Sequence, residues 1–348
     1  MSVPGISQVA AYLPPGRSDG VPRAGWDEDG FTLAVAAVER LGPRESASGV
    51  PGRILLVGSF PPTAEANLAR YFASALPIDR VGAGRSGMNA AIRAAQSGPA
   101  NGGPILVLAV DLAADDPGAT ASAGRAGPDR AVAVWFDPTS AIDVPPSVDT
   151  AETLGATAPF FEYHAAHGRD HPEAWLGTWE IPPSVSAAAA GAARPRPAIP
   201  LGGPVSQGAY VPMPRYEENL PSRWRLAADR CPACGALTFP VRGRCRVCGR
   251  TEGLTRTFLP LDGGLVVATT TIGPGGQPTE FDDQVAVGGP YEVALIELVP
   301  EVRVTLQVTN ATPGSLKIGD RAHTALRRLY PMEGEWRYGR KATRAGSP

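Results

Sequence analysis

The residues best suited to chemistry are four cysteines gathered in one short stretch, Cys231-x2-Cys234-x10-Cys245-x2-Cys248. Each C-x2-C knuckle aims two thiolates at one centre, and two knuckles complete a tetrahedral four-sulfur site. A glycine follows each knuckle, Gly235 and Gly249, where the chain needs a positive-φ turn. Four protein ligands leave no open position, so the metal expected is a structural Zn2+ that supplies folding energy to a segment too small for its own core. The alternatives are a redox-active thiol pair and a ribbon that has lost its metal. Cysteines confined to one cluster argue for a metal site in a reducing compartment rather than a disulfide framework.

Around the cysteines stand Arg223, Arg225, Arg230, Arg242, Arg244, Arg246, Arg250 and Arg256, against Asp229 and Glu252. Such a patch binds the phosphates of a nucleotide-like ligand such as coenzyme A, or a nucleic-acid backbone, or is a solvated rim. Arg223, Arg225, Arg242, Arg244 and Arg246 are the candidates for CoA. Aromatic side chains that would stack on bases are scarce, with Phe258, Phe281 and Tyr291 the three between positions 250 and 325, which weighs against RNA. His164, His167 and His171 offer a second cluster, with the i, i+3, i+7 spacing of one helical face. Beside Phe160, Phe161 and Trp175 that spacing fits an interface or packed edge better than a metal or acid–base site.

The elements that must position these residues fall into two classes. Over residues 1–150 the pattern is α/β: a helix over 27–42 with Phe31, Val35, Val38 and Leu41 on one face, a buried strand over 53–59, helices over 64–76 and 87–96, and strands over 104–112 and 130–137. Residues 181–212 form a Pro/Ala/Gly linker. From about Met213 a short helix (217–228) leads into the cysteines. After them come alternating strands at 265–272, 291–299, 302–308 and 321–330, as in a small antiparallel barrel. At 348 residues, 43% hydrophobic, 19% charged and net −2, the chain has globular composition with no global pull towards nucleic acid or anionic membrane. It holds no apolar run long enough to span a bilayer. Its start lacks the basic and apolar regions of a secretory leader. The expectation is a soluble cytoplasmic protein.

Two resemblances follow from these segments. LPSRWRLAADRCPACGALTFPVRGRCRVCG (220–249), GPYEVALIEL (289–298), RVTLQVTN (303–310), KIGDRAHTALRRLY (317–330) and WRYGRK (336–341) resemble, in order, the zinc-ribbon plus OB-fold family called domain of unknown function 35. The resemblance spans residues 210–345. It implies a companion of thiolase-superfamily enzymes, in which the OB domain holds or shuttles a CoA moiety. GISQVAAYLP (5–14), DEDGFTLAVAAV (27–38), ILLVGSFPPTAEAN (54–67), GRSGMNAAIRAAQSG (84–98), ILVLAVDLA (105–113), RAVAVWFDP (130–138) and PEAWLGTWE (172–180) are similar to the first half of the 3-hydroxy-3-methylglutaryl-CoA synthase branch of the thiolase fold.

The departures from that branch matter. Its nucleophilic cysteine would stand within Gly84-Arg85-Ser86-Gly87-Met88, where there is none, and Val57-Gly58-Ser59 runs into Phe60 where its general-acid glutamate would follow. Ser86 is the one candidate substitute nucleophile, and no base lies near it in sequence. The reading is therefore a degenerate thiolase-like half domain (1–180), the linker (181–212), a helix plus rubredoxin-like zinc ribbon (213–253) and an OB-fold domain (254–348). Together they make a non-catalytic accessory subunit whose partner carries the reactive cysteine. A half thiolase fold would leave the 87–96 helix and one sheet face bare, to be covered by that partner or by a second copy. The Gly/Pro-rich loop from Gly273 to Pro290 is placed to lie over the ligand. The alternatives are a stand-alone acyl-CoA-processing enzyme using Ser86 or a histidine, and an OB-fold nucleic-acid-binding protein.

Overall fold

The computed structural model describes residues 5–15, 17–18, 21–41, 50–98, 103–112, 128–137, 155–158, 160–161, 213–332 and 334–344. His164, His167, His171 and the segments 172–180 and 181–212 lie outside the described residues. The chain divides into two compact units, Met1–Arg196 and Pro197–Pro348.

The first unit is a mixed sheet with helices packed on it. Its elements are β1 (Gly5–Tyr12), a two-residue ribbon of β2 (Arg17–Ser18) and β3 (Val21–Pro22), α1 (Gly30–Glu39), β4 (Arg53–Gly58), α2 (Ala64–Phe72), β5 (Ile78–Gly82), α3 (Gly84–Gln96), β6 (Ile105–Asp111) and β7 (Arg130–Asp137). The five-stranded sheet runs β1-β7-β6-β4-β5. β4 is parallel to β5 and β6, whereas β7 is antiparallel to β6 and β1. The apolar runs of β6 and β7 are buried almost throughout, as central strands covered on both faces must be. α1 starts at a reciprocal cap: Asp29 Oδ1 accepts from the Thr32 amide at 2.9 Å, and Thr32 Oγ1 accepts from the Asp29 amide at 2.8 Å. Two orphan donors of the first turn are thereby satisfied.

Three local expectations change. α2 stops at Phe72, because Ala73 takes the left-handed conformation (φ 51°). That leaves room for β5, whose Ile-Asp-Arg-Val-Gly sequence carries no apolar run because it is a half-exposed edge strand. α3 begins three residues earlier than its apolar pattern suggests. The expected bare face is not seen among the described residues. Met88, Ala91, Ile92 and Ala95 of α3 join Leu55, Val57, Val107, Val134 and Phe136 in one buried cluster, and the large hydrophobic side chains that are exposed, Val247, Phe258, Leu265 and Ile318, all belong to the second unit.

The second unit opens with α4 (Met213–Glu218) and α5 (Leu220–Arg225), then β8 (Ala227–Arg230). The single helix expected over 217–228 is thus two helices and a strand. Pro221 sits in the first turn of α5, where it starts a helix but cannot continue one, and Leu226 caps α5 in the left-handed conformation (φ 52°). β8 lies between β10 (Thr255–Phe258) and β9 (Leu237–Thr238) in a three-stranded antiparallel sheet. The larger antiparallel sheet runs β13 (Val302–Gln307), β12 (Tyr291–Val299), β11 (Gly264–Ile272), β14 (Arg321–Met332), β15 (Glu335–Arg344). A 3-10 turn (Thr279–Phe281) and α6 (Asp282–Gly288) fill the segment between β11 and β12.

α5 is pinned to β15. The buried Trp224 indole donates to the Tyr338 carbonyl at 3.0 Å, and Arg340 Nε donates to the Trp224 carbonyl at 2.6 Å. Among the described residues, the chain just beyond β13 meets β15 through one parallel bridge, Val308–Ala342, beside a Thr309 N to Ala342 O hydrogen bond of 2.8 Å. No closing ladder forms there, so the expected barrel is an all-β antiparallel sheet that remains open. β13 is only six residues long and ends at Gln307, one residue before that bridge.

Candidate metal centre and ligand cleft

The first cysteine knuckle leaves the end of β8 and the second lies between β9 and β10. Their backbones repeat one pattern. Gly235 N donates to Cys231 O at 3.0 Å and Gly249 N to Cys245 O at 3.1 Å; Cys231 N donates to Ala236 O at 2.9 Å and Cys245 N to Arg250 O at 2.7 Å. Both glycines have φ near 75°, at 72° and 76°, a conformation that a side chain would strain. The second knuckle is tied back to the strands by buried side chains: Arg246 N donates to Thr238 Oγ1 at 3.0 Å and Gly243 N to Asp229 Oδ2 at 3.3 Å.

The result is four Sγ atoms within 4.8 Å of one another. Cys231–Cys248, Cys234–Cys245 and Cys234–Cys248 are 3.6, 3.6 and 3.7 Å apart. A disulfide needs about 2.05 Å, so these are separate thiols. Zn–S bonds of about 2.3 Å set a tetrahedron edge of about 3.8 Å, and the observed spacings fit it. Backbone amides of Cys248 and then Val247 hold the Cys245 thiol down to about 6, and the Cys234 amide likewise lowers Cys231. Both therefore favour the thiolate form that binds metal. When bound, the zinc fixes the two knuckles to each other, and the closed donor set gives it no catalytic position.

A cleft of about 1050 Å³ opens beside the ribbon, within the second unit. Phe239, Ile272, Phe281, Val293 and Val304 form much of its apolar wall, and Arg215, Arg223, Arg242 and Arg340 bring positive charge to it. Arg340 is committed to the Trp224 and Thr324 carbonyls, and Arg215 to Glu218 at 2.8 Å. Arg223 lies over the Tyr216 ring, 5.6 Å from its centroid. Neither Arg223 nor Arg242 makes an ion pair with a carboxylate among the described residues. Pro278 and Phe281, from the Gly273–Pro290 segment, form part of the wall. The Phe281 ring is fixed there edge-on against Tyr330, at 5.4 Å.

Of the five arginines singled out for CoA, the structure thus brings Arg223 and Arg242 to the cleft. Arg225 stacks on Phe258 at 4.1 Å. Arg244 folds against the Gly249 turn. Arg246 spans from the Leu237 carbonyl at 2.7 Å to Glu301 at 2.8 Å. Gln307, Tyr291 and Arg340 were not legible as site residues, since the cleft joins strands and helices far apart in sequence. Ser86 is exposed in the first turn of α3, and its hydroxyl donates to the Ala83 carbonyl of the same turn at 3.4 Å. No histidine of the first unit lies among the described residues.

Gly82-x-Gly84-x-x-Gly87, at the junction of β5 and α3, matches the spacing of a dinucleotide-binding turn. Its surroundings do not, because β5 is the sheet edge and the next strand in sequence, β6, lies on the far side of β4. A Cβ at Gly87 would stand 2.7 Å from the Gly82 carbonyl carbon. Gly87 therefore serves close helix–strand packing.

The rubredoxin-like zinc ribbon domain of ChsH2 matches residues 222–252. Among solved structures, a chain of the Ltp2–ChsH2(DUF35) aldolase is 23% identical, covering 35% of this chain and 85% of that one, with a TM-score of 0.28. PksG, an HMG-CoA synthase from Bacillus subtilis, is 16% identical over 40% of this chain and 42% of its own, with a TM-score of 0.30. A DUF35 domain-containing scaffold protein of Methanothermobacter thermautotrophicus is 33% identical over 116 residues, which make up 33% of this chain and 81% of that protein. With the cysteine ribbon and the antiparallel sheet in place beside that match, the chain belongs to the DUF35 domain-containing scaffold protein family.

Proposed function

We propose that the chain is a non-catalytic accessory subunit of a thiolase-superfamily acyl-CoA enzyme, and that its cleft holds the acyl-CoA while the partner performs acyl transfer or carbon–carbon bond formation or cleavage. The carrying observation is the pairing, in one cleft, of an apolar wall with two guanidiniums that lack carboxylate partners among the described residues. Ligand sites are mostly apolar concavities with a few placed polar groups, and this volume is at the top of their usual range. Arg223 and Arg242 suit the phosphates of the ligand, and the wall suits its chain.

Membership among scaffold proteins supports the accessory role. So does the sequence of residues 1–180, which resembles the first half of a synthase without its nucleophile. Every cysteine of this chain lies in the ribbon, so the reactive thiolate belongs to the partner. The first unit is the element proposed to dock that partner, or a second copy of this chain.

Calorimetric titration of the zinc-loaded chain with acetyl-CoA tests the cleft directly. Binding should weaken roughly tenfold or more in Arg223→Ala/Arg242→Ala, since hydrogen bonds to charged groups contribute about 1.5–3 kcal/mol each, and should weaken further as salt rises. Equal binding by the double variant would place the ligand elsewhere.

A further inference from the structure

We infer that the cleft takes its ligand along the free edge of β13, where the main-chain N–H and C=O of Thr305 pair with secondary amides of an extended chain. The ligand class is then an acyl thioester on an arm with amides in tandem. This rests on the cleft being the ligand site proposed above.

β13 has a strand, β12, on one side only, and the pairing fixes which way each of its amides points. Val308 N donates to Glu292 O at 2.8 Å. That bond flanks the Gln307–Val293 pair of the antiparallel ladder, which makes it a non-hydrogen-bonded pair. Hydrogen-bonded and non-hydrogen-bonded pairs alternate along such a ladder. Thr305–Leu295, two positions on, is therefore also non-hydrogen-bonded, and the Thr305 N–H and C=O point away from β12. No strand pairs with β13 on that side. Among the described residues the backbone contacts there are the Val308–Ala342 bridge and the Thr309 N to Ala342 O bond, both past the end of β13. Thr305 is exposed.

The cleft follows this edge. Successive strand residues point to opposite faces, so a cavity lying on one face of β13 would touch every second residue. This one touches Val304, Thr305, Leu306 and Gln307 in succession, and also Gly339 and Arg340, neighbours on β15. The edge of β13 thus borders the cavity over roughly 10 Å, at about 3.3 Å per residue. An open strand edge is a template for another extended chain.

Thr305 offers one donor and one acceptor side by side. The N–H and C=O of a trans amide point opposite ways across its plane. One ligand amide therefore meets one of these groups, and a second amide further along the chain meets the other. An ester or hydrocarbon chain has no N–H for the Thr305 carbonyl. A peptide has the amides, but its backbone carries no anion for Arg223 and Arg242, which line the same cleft. An anion-headed arm with two secondary amides, as in pantetheine, meets both demands.

The test is amide hydrogen exchange by NMR on the full, zinc-loaded chain. Without ligand, the Thr305 amide should exchange far faster than those of Val304 and Leu306, which the ladder holds. Saturating acetyl-CoA or S-acetylpantetheine should slow Thr305 at least tenfold and leave Arg303, on the same edge outside the cleft, unchanged. An S-acetylpantetheine analogue with both amide N–H groups replaced by oxygen should bind roughly tenfold more weakly. Thr305→Pro removes the N–H at a position where an edge strand tolerates proline and should abolish that preference; Thr305→Ala keeps the main chain and should retain it. If the proline variant does not fold, exchange in the native chain decides. Binding of acetyl-CoA without protection of Thr305 overturns the edge role and leaves the cleft reading standing. Protection by N-acetyl-tetraalanine amide but not by S-acetylpantetheine also overturns it, making the edge a peptide-docking strand. If acetyl-CoA does not bind at all, both readings fall.

Discussion

At the scale of single residues, the backbone supports the four-thiol site: paired amide bonds and a positive-φ glycine in each knuckle, with side-chain anchors on the second, accompany sulfurs at tetrahedral spacing. Replacing one ligand leaves a three-sulfur site in a segment with little core. Cys245→Ser should lower zinc from about one per chain to a small fraction, and the ribbon should lose cooperative melting, because binding free energy in such modules is folding free energy, about 10–16 kcal/mol in zinc-finger peptides. Elemental analysis with thermal denaturation checks both, and strong chelators should reproduce the variant in the native chain.

A second residue-scale case is the Glu65–Arg80 pair, in which Arg80 Nη2 reaches Glu65 Oε2 at 3.0 Å and Arg80 Nε bonds Oε1. The side-chain hydrogen bond from Arg80 holds the Glu65 carboxyl below its ordinary value. A depressed carboxylate pKa contributes stability above the unfolded pKa and loses it as pH falls through the folded value. Both side chains are over a third exposed, so the contribution is screened. Arg80→Ala should raise the Glu65 pKa in an NMR titration and cost less than about 1 kcal/mol at neutral pH.

At the scale of elements, α3 rides so close to β5 that Gly87 has no room for a methyl group: its Cβ would stand 2.7 Å from Gly82 C and 3.2 Å from Val57 Cγ1. Backbone cannot yield as a flexible side chain can. Gly87→Ala should destabilise the first unit by about 1–3 kcal/mol, read from chemical denaturation, with zinc content unchanged. Elements of this kind differ in how much their sequences betray. β6 and β7 announce themselves as apolar runs, and β7 spans the expected residues, because burial on both faces leaves no other pattern. β5 is silent, since an edge strand with Asp79 and Arg80 exposed carries no period. The start of α5 hangs on Pro221 and its end on the left-handed Leu226, and only the first is visible in a sequence. The cysteine site is wholly legible because its ligands are local in sequence. The cleft is not, because Arg223, Arg242, Phe281, Val293 and Gln307 converge only through the pairing of β12 with β13 and the placement of α5.

At the scale of the whole molecule, the two units divide the labour proposed for the chain. The α/β unit has a sequence that resembles the first half of a synthase, with no cysteine in Gly84–Met88. The second unit carries a ribbon built for structure and a cleft suited to an amphipathic anion. All four cysteines lie in the ribbon, which is why the accessory role proposed above assigns the reactive thiolate to a partner.

The most direct measurement purifies the tagged chain from its native host at near-physiological salt, weighs the intact assembly by native mass spectrometry, and assays acyl-CoA turnover by the assembly and by each separated component. The expected result is a fixed stoichiometry with a cysteine-bearing thiolase-superfamily protein and turnover that this chain alone does not support. Acyl-CoA turnover by the isolated chain, abolished by Ser86→Ala, would contradict an accessory role and make this protein the enzyme.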